Sequence, residues 1–306
     1  MEPHSYHPGS AIPTSISPTL PAPTGPAFCH DAGVATRPVV LLPPSEGKST
    51  GGSGRPLRPD RLSFTGLTDT RERMIDAVIR AMRSPVATRA KLLGVTGATL
   101  AEATAANREL RSGPTMPAIE RFTGVLFDEL DVSSLSKRDR SRLDEQVVIF
   151  SGIFGLVTPT DPIPDHRLKM NVSLPSIGKV STAWRGPITD ALADRVRGST
   201  VWNLLPGEHA AAWKPAAVGT ADGPTAMFSV RFVDEGAPSR GTRTFTTVSH
   251  WNKLLKGALV RFVLATGADE PAALTRFTHP EGYVYDPSLT EETKGATVLV
   301  MVRPRR

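Results

Sequence analysis

The sequence predicts an α/β domain, a mixed sheet with flanking helices and an embedded helix-hairpin-helix. Three observations lead there. Short apolar runs beginning at Val39, Val147 and Thr200 each stop at a polar loop bearing proline or glycine, the pattern of strands covered on both faces. Helical periodicity and a glycine turn fill residues 69–145 between the first two runs, so a helical insertion separates those strands. Later, two alternating stretches around Phe228 and Thr242 and a final apolar run from Ala296 to Val302 supply a hairpin and a closing strand.

Composition sets the outer limits. Residues 1–37 are rich in Pro, Ser, Thr, Ala and Gly and lack clustered large apolar side chains, so they cannot offset the entropy of ordering and read as a disordered tail. His4, His7, Cys29 and His30 in that tail carry no metal site. Residues 38–306 remain for a single domain, and 39% hydrophobic residues suffice for its core. No signal-like segment and no apolar run of about 18 residues is present, so no membrane partner is expected. One cysteine rules out an internal disulfide and fits a reducing cytoplasm. A net charge of +6, from 36 Lys and Arg against 30 Asp and Glu, favours polyanionic partners.

The first strand, Val39-Val40-Leu41-Leu42, ends at Pro43-Pro44, which cannot donate to a sheet ladder. The following Ser45-Glu46-Gly47-Lys48-Ser49 loop combines backbone N–H groups, a carboxylate and an ammonium, which suits an anionic ligand. Residues 51–61, rich in Gly, Pro and Arg, read as a mobile surface loop and candidate lid. Met74, Ile75, Val78, Ile79 and Met82 recur at helical spacing, predicting an amphipathic helix over 69–82. From Lys91 to Ala103 a helix end, a Gly94 to Gly97 turn and a new helix start form the hairpin, whose free N–H groups around Thr96 and Gly97 can take a phosphate beside Arg89 and Lys91. Its glycines are separated by two residues rather than the single residue usual in nucleic-acid-binding hairpins.

Short helices follow over 122–130 and 136–145. The apolar run at Val147–Phe150 then opens at Ser151-Gly152, and prolines force an extended path through 158–170. In that path Arg167 and Lys169 share one face while His166, Leu168 and Met170 take the other, and two adjacent cations mark an anion site. A helix over 184–197 leads to the third strand, whose end carries Asn203, Glu208 and His209. Strands over 228–233 and 242–248 pair across a turn. A helix then runs through Phe262 with Asn252 near its start and Lys253 and Lys256 on one face.

Familiar enzyme signatures do not survive inspection. Gly47-Lys48-Ser49 resembles the end of a phosphate-binding loop, yet the glycine that loop needs five residues earlier is Leu42. What remains is a set at strand ends: Ser45, Glu46, Lys48, Ser151, Arg167, Lys169, Asn203, His250 and Lys253. They are expected to line a basic cleft, with Glu46, Lys48 and His250 as catalytic groups and the other cations as anion holders.

Taken together, Leu-Pro-Pro-Ser-Glu-Gly-Lys at 42–48, Ser151-Gly152-Ile153-Phe154-Gly155, the Pro162 to Met170 element, Asn203-Leu204 and Glu281-Gly282-Tyr283 resemble the YaaA family of peroxide-stress proteins. The resemblance implies one α/β fold with an embedded helix-hairpin-helix, a cytoplasmic location and a role in limiting oxidative damage from intracellular iron. It also implies DNA binding through the hairpin, here Leu93 to Ala101, and through a basic cleft of Lys48, Arg167, Lys169, Lys253 and Lys256. Two functions are therefore expected as alternatives. One is sequence-independent binding of double-stranded DNA by Lys91, Gly94, Thr96, Gly97 and the cleft, since no helix presents base-reading side chains. The other is an enzyme acting on a small anionic substrate, a nucleotide, nucleobase or phosphorylated metabolite, at Ser45, Glu46, Lys48, Arg167 and Lys169. Neither calls for a metal or other cofactor, and a monomer is expected.

Overall fold

The computed structural model describes residues 37–247, 249–293 and 295–305. The tail read over 1–37, with its histidines and cysteine, lies outside the described residues except for Arg37. Beyond it the chain is mixed α/β with a largely parallel central sheet.

Strand β1 (Val39–Leu42) has all four residues buried, as expected of a run apolar on both faces. The insertion then begins with helix α1 (Thr68–Ala81), which buries Met74, Ile75 and Val78 along one stripe. Helices α2 (Val86–Leu93) and α3 (Gly97–Arg108) are joined by Gly94, Val95 and Thr96. Gly94 closes α2 in the left-handed region at φ 67° and Gly97 opens α3 at φ 58°, conformations that favour glycine. The two-residue strand β2 (Met116–Pro117) leads into α4 (Ala118–Arg121) and α5 (Val125–Leu130). A single helix over 122–130 is not what forms. Gly124, at φ 100°, interrupts the path, and the Thr123 N–H is drawn to the Ser45 hydroxyl instead of a helical carbonyl. Helix α6 (Lys137–Gln146) starts where the Ser136 hydroxyl accepts from the Asp139 N–H.

Strand β3 (Val147–Ser151) returns beside β1, parallel, with Val40 opposite Val147. It folds back through β4 (Gly155–Val157), antiparallel. Gly155 is required there, because its φ is +71° and a Cβ would sit 2.7 Å from the Trp184 ring. The extended segment forms β5 (Pro162–Ile163), paired with β2, and then the small ribbon of β6 (Ser173–Leu174) and β7 (Gly178–Lys179). Helix α7 (Val180–Val196) starts four residues earlier than the sequence suggests. Val180, Trp184, Ile188, Leu192 and Val196 recur every four residues and are all buried, which sustains the helix through Pro187.

Strand β8 (Thr200–Asn203) lies parallel to β1 on the side opposite β3. After the short α8 (Gly207–Ala210), β9 (Ala226–Glu235) extends the parallel array, and β10 (Phe245–Thr247) folds back on it as the expected hairpin. Helix α9 (Ser249–Thr266) runs past Phe262 and crosses α5 so closely that a Cβ on Gly257 would lie 2.3 Å from the Leu126 carbonyl oxygen. The sheet ends with β11 (Val284–Tyr285), β12 (Glu291–Thr293) and β13 (Ala296–Arg303), the last parallel to β9. Parallel β1, β3 and β8 thus point their C-terminal ends the same way, which gathers the loops after Leu42, Ser151 and Asn203 at one end of the sheet. No described helix is long and apolar enough to cross a membrane.

Candidate functional site

The loop after β1 is built by its own hydrogen bonds. The Ser45 hydroxyl donates to the Gly47 carbonyl and accepts from the Thr123 N–H at 3.0 Å, tying the loop to the break between α4 and α5. A side chain at Gly47 would meet the Thr123 hydroxyl at 2.8 Å, so the loop lies flat on that break. Lys48, half-buried, donates from Nζ to the Ser45 carbonyl at 2.6 Å and stands 5.3 Å above the centre of the Phe122 ring. Burial, then repulsion by Arg167, lowers its pKa to about 7, against smaller opposing pulls from Asp165 and Glu46.

The segment 165–169 forms the facing wall. Asn107, fully buried on α3, pinches the backbone of Arg167: its Oδ1 accepts from the Arg167 N–H and its Nδ2 donates to the Arg167 carbonyl, both at 2.8 Å. The Arg167 guanidinium pairs with Asp165 and donates to the His166 carbonyl at 2.8 Å. The backbone of Leu168 passes within 2.5 Å of where a Gly152 side chain would start, so only glycine lets this wall pack on the β3 turn. His166 and Met170 are buried, the alternation expected of an extended segment. The His166 ring meets Phe154 and Phe122 edge-on at 4.9 and 5.9 Å, and burial, then Lys48, holds it neutral with a pKa well below the usual range.

Lys169 joins the two walls. Its Nζ lies 3.4 Å from the Glu46 carboxylate and also 3.8 Å from where a Cβ on Gly94 would be, so the α2–α3 turn and the strand-end loop meet at one ammonium. Below them Arg121, fully buried, donates to the carbonyls of Ser49, Gly51 and Ile163. Segment 51–61 is exposed apart from Leu57 and Pro59, the surface loop expected, with the Gly51 carbonyl accepting from Arg121 and Gly54 bridged to Thr115.

The structure therefore brings together Ser45, Glu46, Lys48, Arg167 and Lys169, with Gly94 alongside. Lys91, Thr96 and Gly97 lie exposed on the same helix pair. Other predicted residues are used differently. The Ser151 hydroxyl is buried and accepts from the Ile153 and Phe154 N–H groups at 3.3 and 3.2 Å, so it shapes the β3 turn. Asn203 accepts from the Leu205 N–H at 3.2 Å at the end of β8. Lys256 donates to the Leu204 carbonyl at 3.0 Å, and burial lowers its pKa. Lys253 is exposed on α9, while the His250 side chain lies outside the described residues. Sequence reasoning passed over Asn107, Arg121 and Asp165. A poor helix former inside α3 was the one available sign of the first, whereas nothing local distinguishes Arg121 from any surface arginine. Among the described residues no group of three or more His, Cys, Asp or Glu is placed to hold a metal ion.

A family model described as peroxide stress protein YaaA matches residues 39–289, spanning both walls of the site. The chain belongs to the YaaA peroxide-stress family. Its similarity to a UPF0246 protein of Streptomyces coelicolor is 38% identity over 247 residues, covering 80% of this chain and 90% of that one. UPF0246 proteins of Corynebacterium glutamicum and Corynebacterium efficiens are 36% and 38% identical, each covering 76% of this chain and 86% of their own. The family resemblance carried by the Ser45–Lys48 loop and the Pro162 to Met170 element is thereby borne out.

Proposed function

We propose that this YaaA-family protein acts in the cytoplasm in peroxide stress, limiting iron-dependent damage, and binds duplex DNA without sequence preference through the α2–α3 helix pair and the adjoining basic walls. The observation carrying this reading is Lys169, whose ammonium pairs with Glu46 at 3.4 Å and lies beside the Gly94 turn, 3.8 Å from where a Cβ there would be. Around it, the free N–H groups at the start of α3, Lys91, Arg167 and Lys48 offer a continuous surface for phosphates. Their shared chemistry is attraction to anionic groups, which on a nucleic acid predicts phosphate contacts and no base readout.

Anisotropy titrations of unrelated duplexes over a range of salt test it. Log affinity is expected to fall linearly with log salt at one slope for all sequences, and Lys91→Ala and Lys169→Ala each to reduce that slope by about one. Absence of binding at low salt, or slopes untouched by both substitutions, sinks the proposal. One observation favours a second reading, an enzyme for a small anionic substrate: the pKa of Lys48 is lowered to about 7 by burial and then by Arg167.

A further inference from the structure

A cavity of about 530 Å³ opens beside α9, large enough for a small organic ligand and sharing no residue with the strand-end site. Its floor is the α9 face of Ala258, Arg261, Phe262 and Ala265, spaced three and four apart so that all four turn the same way. Leu135 and the Phe277 ring, which meets Phe262 edge-on at 5.6 Å, add apolar walls. Two opposite charges also line it. Glu129, near the end of α5, is held by His279: that ring accepts the Glu281 N–H on Nδ1 at 3.2 Å, so Nε2 carries the hydrogen and lies 3.4 Å from the Glu129 carboxylate. Arg261 is held elsewhere. Its Nη1 donates to the Leu130 and Asp131 carbonyls at 2.7 and 3.0 Å and to the Ser134 hydroxyl at 2.9 Å, which leaves Nε and Nη2 as further donors. Although Arg261 reaches the residue next to Glu129, no ion pair joins the two among the described residues. Of the neighbouring carboxylates, Asp139 is bound by Ser136 and Arg138, and Asp131 by Ser133.

We infer that this cavity binds a free α-amino acid with an aromatic or large aliphatic side chain. The ammonium sits on Glu129, the carboxylate on Arg261 and the side chain against Phe262 and Phe277. A carboxylate and a guanidinium that line one cavity without pairing leave both charges open to a ligand. An anion alone satisfies Arg261 but is repelled by Glu129, and a cation alone meets the reverse. A zwitterion satisfies both. The apolar walls then favour a ligand whose body gains by leaving water, and the two rings offer edges and faces to an aromatic one. This binding site goes beyond the reading of the strand-end cations and is independent of duplex binding.

Calorimetric titration of the full-length protein with L-phenylalanine, 3-phenylpropionate and phenethylamine tests this, because the last two each lack one of the charges. L-Phenylalanine is expected to bind, and each analogue to bind at least about tenfold more weakly, the loss of one charge-assisted contact. In Glu129→Gln the preference for phenylalanine over phenylpropionate is expected to collapse while the preference over phenethylamine persists. A merely structural role for Glu129 would lower affinity for all three ligands alike. Ala265→Trp fills the cavity from an exposed position without removing either charge, and is expected to abolish binding. No binding of phenylalanine up to its solubility limit, or equal affinity for the three ligands, overturns the proposal on the unaltered protein alone. Unchanged binding in Ala265→Trp, or an unchanged preference in Glu129→Gln, overturns it as well. None of these outcomes bears on duplex binding, which stands or falls by its own titrations.

Discussion

In the helical insertion, Arg71 and Arg121 are fully buried and their hydrogen bonds run to main-chain carbonyls, whereas along the β9–β13 edge Arg231, Arg243 and Arg303 face carboxylates at the surface. Arg71 donates from Nε to the Phe154 carbonyl at 2.9 Å and from Nη2 to those of Ser63 and Leu156 at 2.6 and 2.7 Å. One side chain thus ties α1 to the 59–63 segment and to the chain on either side of Gly155 at the start of β4. At the sheet edge, Arg243 reaches Glu235 and Asp286 at 2.6 and 2.7 Å, and Arg303 pairs with Asp234 and Glu281. The ladder has already satisfied the backbone there, so cations are left to side-chain partners. The loops and short strands buried beside the candidate site leave carbonyls open to further donors, and a guanidinium with its fixed fork of donors reaches several of them at once. The same residue type is a structural clamp in one region and a solvated partner in the other.

Arg71→Ala breaks this comparison most directly. It removes the donor from the Phe154, Pro59, Ser63 and Leu156 carbonyls and leaves a cavity, and is expected to cost about 3–5 kcal/mol in urea unfolding. A loss under about 1 kcal/mol would mean that water replaces the guanidinium freely.

His209 sharpens the comparison, because it is a buried base that lacks such carbonyls. It is 5% exposed, its Nδ1 makes no hydrogen bond, and burial lowers its pKa to about 4. The unfolded chain takes up the proton first, near the ordinary histidine value of 6.5, so stability is full above that pH and is lost as pH falls toward about 4. Unfolding curves between those limits are expected to show a loss of about 3 kcal/mol from this group. His166, also held neutral, adds to the same acid limb. His209→Leu should flatten only its own part while leaving neutral-pH stability near wild type, and an unchanged slope would remove His209 from this account. The smallest effect is expected for Arg243→Ala, whose urea midpoint should not move measurably at physiological salt, since its exposed pairs are screened.

Much of the sheet was legible in the residues. Val39–Leu42 and Val147–Phe150 are apolar at every position, a pattern that only a strand buried on both faces explains, and both sit side by side in the core. The alternation at 166–170 correctly separated buried His166 and Met170 from the cations. Ser151 illustrates the limit: a serine at a strand end looks like a ligand group until its hydroxyl is seen capping two N–H groups of its own turn. The start of the 51–61 segment shows the same limit, because nothing within it reveals that the Gly51 carbonyl would accept from Arg121, 70 residues later.

The site follows this division. Local chemistry in the sequence determined that Ser45-Glu46-Gly47-Lys48 would be a strand-end loop and that Arg167 and Lys169 would share a face, since prolines and side-chain period act over a few residues. Tertiary structure alone decided that Lys169 would take Glu46, that Arg167 would take Asp165, and that Lys48 would be left on an aromatic ring with carbonyls for partners. Charge and proton affinity depend on which groups lie within a few ångströms in space, and the helical insertion that brings Phe122, Asn107 and Arg121 there is far from Lys48 along the chain.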